Sequence, residues 1–151
     1  MLREEYEELG GLEAEVTHSL ELVDELIKSG DIKLKKRINR KVTYHDPCHL
    51  GRYTGVYDAP RSILEAIPGI ELVEMPRNRA NAFCCGAGAG VRTAYPEFAR
   101  WVADERVREA ESTGADTLVT ACPFCEQNLG EATGKKMELL DILELVRESM
   151  G

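Results

Sequence analysis

Five cysteines, Cys48, Cys84, Cys85, Cys122 and Cys125, are the residues of this chain best suited to chemistry. Cys84 and Cys85 are adjacent, and glycine then alternates with alanine through 86-GAGAG-90. Cys122 and Cys125 have the C-x2-C spacing, which presents two sulfurs to one point and serves both metal sites and thioredoxin-like redox pairs. The thiolate is the metal-binding form, and a helix start favours it because unpaired N–H groups and the helix dipole stabilise negative charge. Pro47 and Pro123 mark such starts beside Cys48 and Cys122.

Adjacent cysteines carry side chains that diverge, so they suit an extended object better than a single ion. Gly86 and Gly88, lacking side chains, would let backbone approach that object and aim N–H groups at inorganic sulfur. These residues favour an iron–sulfur cluster. A structural zinc with one cysteine spare and a set of buried small hydrophobes are the competing readings. The glycine run is not a dinucleotide fingerprint, because G-x-G-x-x-G would need glycine where the chain has Val91.

Local patterns place these cysteines at one edge of an α/β fold. Residues 12–29 carry Val16, Leu20, Val23, Leu26 and Ile27 at helical spacing, and Gly30 stops the run. Residues 41–45 read as a strand, after which Asp46 and Pro47 supply a helix cap and a first-turn proline. A short helix over 60–67 ends at Pro68-Gly69, and residues 70–75 form the next strand. Residues 96–113 are the longest helix, with Phe98, Trp101, Val102 and Val107 predicted to face the sheet. A strand follows at 117–121, then a helix from Cys122 to about Gly130. Residues 136–150 read as a short strand leading into a helix, or as one helix throughout. Strands alternating with helices imply an open, mainly parallel sheet of about four strands flanked by helices. Ligands bind at the carboxyl ends of such strands, and all five cysteines fall there.

Composition narrows the setting. The net charge of −8 argues against a nucleic-acid partner. Residues 1–31 hold ten acids and two bases, whereas 33-KLKKRINRK-41 holds six bases and no acid, the pattern of a solvated loop or docking patch. No stretch approaches the ~18 apolar residues of a membrane helix, and no signal-peptide core follows Met1, so direct membrane insertion is not expected and the cytoplasm is. Structural disulfides are rare there, and five is an odd count, which again favours metal or redox chemistry.

The spacing also resembles a known family. Cys48 is followed by 35 residues, the Cys84-Cys85 pair by 36, and then comes Cys122-x-x-Cys125. Together with 44-YHDPCHLGR-52, 83-FCCGAGAG-90 and 120-TACPFCEQNL-129, this resembles the CCG, or cysteine-rich, domain of the heterodisulfide reductase family, found in its B-type and D-type components. Related copies occur in the iron–sulfur components of glycolate, lactate and glycerol-3-phosphate dehydrogenases. The resemblance spans about residues 40–146, so residues 1–39 are assigned as a helical lead-in and basic linker and residues 40–151 as the cysteine-rich domain.

That resemblance implies a cytoplasmic oxidoreductase component holding a noncubane 4Fe–4S cluster through Cys48, Cys84, Cys85, Cys122 and Cys125. It would pass electrons to a small disulfide substrate or between subunits. Some copies of the domain hold zinc, which keeps a zinc-stabilised, non-catalytic docking module as the alternative. Members often have glycine at the position of Ala89, and usually carry two such domains preceded by a ferredoxin-like segment. A single copy therefore implies a partner, an electron-donating redox subunit or a missing domain, without which the chain is not active.

His45 and His49 flank Cys48, as hydrogen-bond or proton donors to a leaving thiolate or as structural residues of the strand–helix turn. They are the catalytic candidates. Arg52, Arg77, Arg79 and Arg92 lie near the cysteines and are candidates for binding an anionic substrate, unless they pair with neighbouring acids.

Overall fold

A computed structural model describes residues 6, 8, 10, 11, 13–134 and 136–151. In chain order the elements are α1 (Ser19–Ser29), β1 (Arg40–Tyr44), α2 (Asp58–Ala66), β2 (Ile70–Leu72), α3 (Val91–Ala94), α4 (Pro96–Ser112), β3 (Thr117–Thr120), α5 (Pro123–Thr133), β4 (Glu138–Asp141) and α6 (Ile142–Met150). The strands form one sheet in the order β2-β1-β3-β4, and every pair is parallel. This is the α/β architecture that the alternation of strands and helices predicts.

Local chemistry sets the helix ends. The helix expected over 12–29 begins at Ser19, because His18 takes the cap. Its Nδ1 accepts from the Leu20 N–H at 3.2 Å, while the Glu21 carboxylate accepts from the His18 N–H at 3.0 Å. This reciprocal pair satisfies two donors that the first turn leaves open. Residue 12 lies outside the described residues. Asp141 does the same for α6, accepting from Leu143 N–H at 2.8 Å with Glu144 bonded back to its own N–H. That box divides residues 136–150 into strand and helix.

β1 and β3 are the central strands, and side chains alternate between two apolar clusters. Val42, Tyr44 and Val119 join Leu20, Ile63, Leu64, Ile142 and Leu145 on the face covered by α1, α2 and α6. Leu118 joins Ala103, Val107, Ala110 and Leu129 on the face covered by α4 and α5. Of the stripe predicted on α4, Val102 and Val107 are buried as expected, and the two aromatic residues are not. Phe98 and Trp101 are 56% and 55% exposed, stacked on one another with ring centroids 6.0 Å apart. The buried stripe is Ala99, Val102, Ala103, Arg106, Val107 and Ala110. Its alanines let the helix axis approach the sheet closely, where a phenyl or indole ring would hold it off.

Candidate metal centre

The strand order reverses between β1 and β3: the chain leaves β1 toward β2 on one side and returns to place β3 on the other. Connections diverging from these two carboxyl ends open a crevice, the place where open α/β sheets bind ligands. Cys48 follows the end of β1, and Cys122 follows the end of β3. The His45 N–H donates to the Val119 carbonyl at 2.8 Å, holding the two exits side by side.

Each cysteine has its own local support. Cys48 opens a wide turn over His49–Tyr53, in which the Tyr53 N–H reaches back to the Cys48 carbonyl at 3.2 Å. Cys122 is the N-cap of α5, Pro123 fills the first helical position, and Cys125 lies in the first turn. Cys84 and Cys85 lie on the loop before α3. That loop is held by Asn128, whose side-chain amide donates to the Cys85 carbonyl at 2.7 Å and to the Ala99 carbonyl at 3.2 Å.

All five cysteines border one open cleft of about 450 Å³, together with Gly88, Arg92 and Phe124. Cys85 and Cys125 are buried, and their sulfurs lie 3.2 Å apart, well beyond the ~2.05 Å of a disulfide bond. The glycines have separate roles. Gly86 has φ +87°, and a Cβ there would lie 2.7 Å from the Ala99 carbonyl, so it is glycine to fit against α4. A Cβ at Gly88 would meet nothing within 4 Å, which leaves backbone bordering the cleft. Ala89 is left-handed at φ +52°.

Charge is unevenly shared among the thiols. Cys122 is lowered to about 6, mainly because Cys125 donates to it, with the Cys125 and Phe124 N–H groups adding to the effect. Cys85 is pulled far down by donation from Cys125 and Cys84, and His45 adds to this. Cys84 and Cys125 are pushed up, since they supply those protons. The opposed shifts come from sulfurs that hydrogen-bond one another, in a cleft that, among the described residues, no carboxylate borders. Soft sulfur donors without oxygen donors suit zinc or an iron–sulfur cluster, so the donor set fits either.

The two histidines separate. His49 is at the rim, its Nδ1 3.9 Å from the Cys48 sulfur and its ring stacked on Tyr53 at 5.0 Å. His45 is buried, with a ring nitrogen within 4.8 Å of the Cys85 and Cys125 sulfurs, and burial lowers its pKa. Asp46 is not a helix cap. Its carboxylate receives two Arg61 bonds, at 2.8 and 2.9 Å, and the Arg79 N–H at 2.7 Å.

The four candidate arginines already have partners. Arg52 donates to the Ala80 and Ala82 carbonyls, and Arg77 pairs with Glu109 at 3.0 Å and covers the Phe83 ring. Arg79 pairs with Asp58 at 2.7 Å, and Arg92 with Glu131. Only Arg92 of the four borders the five-cysteine cleft. Arg106 on α4, which the sequence did not mark, is fully buried and donates from Nε to His45 Nδ1 at 3.0 Å. Asn128 was equally unmarked, and no local signal in the sequence distinguishes either.

Comparison with known proteins gives the chain its relatives. Over 140 residues the chain is 49% identical to one component of the dihydromethanophenazine:CoB–CoM heterodisulfide reductase of Methanosarcina mazei, a match covering 91% of this chain and 34% of that one. It is 40% identical over 120 residues to one component of the CoM/CoB fumarate reductase of Methanothermobacter marburgensis, covering 77% of this chain and 24% of the relative. An uncharacterized iron–sulfur protein of Methanococcus maripaludis is 40% identical over 119 residues, covering 79% of this chain and 23% of its own length. The chain thus spans about a third of the heterodisulfide reductase component, and less of the other two. The family model described as "Cysteine-rich domain", CCG, matches residues 42–130, a stretch that contains all five cysteines, and the chain belongs to that family.

Proposed function

We infer that this chain is an iron–sulfur redox component of heterodisulfide reductase type. Cys48, Cys84, Cys85, Cys122 and Cys125 would hold a 4Fe–4S cluster of the noncubane kind. Bound there, the cluster would supply one-electron chemistry, directed at a small disulfide or at a neighbouring redox subunit. The observation that carries the reading is the convergence of five thiols from three separate segments on one cleft without a disulfide among them. The chain's residues have distinct parts in it. Gly86 and Asn128 pin the vicinal loop to α4, and the first turn of α5 favours thiolate at Cys122. Gly88 keeps one side of the cleft as bare backbone. Arg92 is the residue best placed to meet an anionic substrate, by releasing the exposed Glu131.

Anaerobic reconstitution with ferrous iron and sulfide tests this directly. The expected content is about four iron and four sulfide per chain. Stoichiometric zinc with no capacity for iron would reject the reading. A paramagnetic signal that appears when a thiol is added to the oxidised, iron-loaded chain separates a disulfide-cleaving site from an electron relay. Relatives that are subunits of larger reductases support a redox partner for this chain too.

One observation favours a second reading, a zinc-stabilised docking module. His45, Cys85 and Cys125 offer donor atoms all within 4.8 Å of one another, close to what a single tetrahedral ion needs. It predicts that a chelator unfolds the chain and that no redox signal is found.

A further inference from the structure

Arg106 is buried where stability alone gives no reason for it. It pairs with Glu109 and donates to the Arg77 carbonyl, each at 2.8 Å, but among the described residues its second terminal nitrogen has no partner. A buried guanidinium with an unsatisfied N–H group is less favourable than an apolar side chain of similar volume. What the position provides is the 3.0 Å bond from Nε to His45 Nδ1.

That bond fixes the imidazole. Guanidinium nitrogens can only donate, so Nδ1 must accept, and the single proton of the neutral ring is on Nε2. The ring is 1% exposed, and one of its nitrogens lies within 4.8 Å of both the Cys85 and the Cys125 sulfurs. For Nε2 to bind a metal, the proton would have to move to Nδ1, where it would meet the N–H of Arg106 head-on.

We propose that Arg106 is a positioning residue that locks His45 as the Nε2–H tautomer, so that His45 offers an N–H donor to the neighbouring Cys85 and Cys125 sulfurs and is not itself a metal ligand. Such a donor draws electron density from a ligating sulfur and raises the reduction potential of the bound group. That consequence rests on the iron–sulfur reading of the cleft, whereas the tautomer does not depend on it.

Long-range proton–nitrogen NMR correlation on the metal-free full chain reads the tautomer. His45 is expected as Nε2–H alone, and Arg106→Met is expected to bring in the Nδ1–H form. A protonated Nδ1 in the unaltered chain, or no change in a folded Arg106→Met, overturns the proposal. In the iron-loaded chain, His45→Leu is expected to lower the reduction potential at unchanged iron content. His45→Gln, which keeps an N–H donor, is expected to recover part of that shift. Equal potentials in all three proteins, or iron loss from folded His45→Gln, also overturns it. If the chain takes up no iron, the functional reading fails and the NMR measurement still decides this one.

Discussion

A side chain acts in this protein according to how deep it lies in the cleft. Cys85 and His49 are both near the cysteines in sequence, yet Cys85 is 5% exposed between Cys84 and Cys125, while His49 stacks on Tyr53 at the rim. Cys85→Ala is therefore expected to abolish iron or zinc uptake, and His49→Ala to leave most of it, as read by metal analysis of the folded proteins. Equal losses would undo the ligand assignment. Gly86 is equally constrained for a different reason. An alanine there would combine a left-handed backbone with a Cβ 2.7 Å from the Ala99 carbonyl. Gly86→Ala is expected to destabilise by about 2–4 kcal/mol in chemical denaturation. A change of less than about 0.5 kcal/mol, the size of an ordinary surface substitution, would show that the loop is free of α4.

Among the elements, the start of α5 has the clearest electrostatic role. With its thiol lowered from an ordinary 9.0 to about 6, Cys122 is a thiolate at neutral pH. A folded pKa below the unfolded one means a stabilising contribution that is complete above about 9 and disappears as pH falls through about 6. In metal-free protein, alkylation of Cys122 by iodoacetamide, followed by peptide mass mapping, is expected to accelerate through pH ~6. Half-acceleration near the ordinary thiol value would contradict that account. α4 shows the other side of element-level reasoning. Its aromatic residues had the strongest hydrophobic signal, but alanine and valine formed the buried stripe.

The molecule as a whole is joined by a buried ionic network behind the cleft. Asp46 at the exit of β1, Arg61 on α2 and Glu74 beyond β2 share charge-assisted bonds of 2.6–3.0 Å, and Asp46 also anchors the loop at Arg79. Asp46 and Arg61 have side chains only 3% and 6% exposed. Arg61→Met leaves a buried carboxylate without its cation and is expected to cost about 3–5 kcal/mol in thermal or denaturant unfolding. It should also weaken metal uptake, because the loops bearing Cys48 and Cys84 lose their shared anchor. Full stability in that variant would mean that the network is dispensable. Among the described residues no helix is long and apolar enough to cross a membrane.

Residues close in sequence determine much of this protein. Pro123 and the Cys122 cap define a helix start within a single turn, and Gly30 and Gly114 end helices by their own left-handed backbone. The alternation of strand and helix then implies a parallel sheet, and with it a cysteine edge. Those signals are legible because their physical causes act across three or four residues. Tertiary structure decided the rest. Arg106 meets His45 across 61 positions, and Asn128 meets Cys85 across 43. Helical spacing marks stripes on α4 but cannot say which one the sheet will accept, since that depends on how closely the two can pack. The thiols could be placed at one edge from the sequence, whereas their charges, and the buried arginine behind His45, depend on groups that only the folded chain brings together.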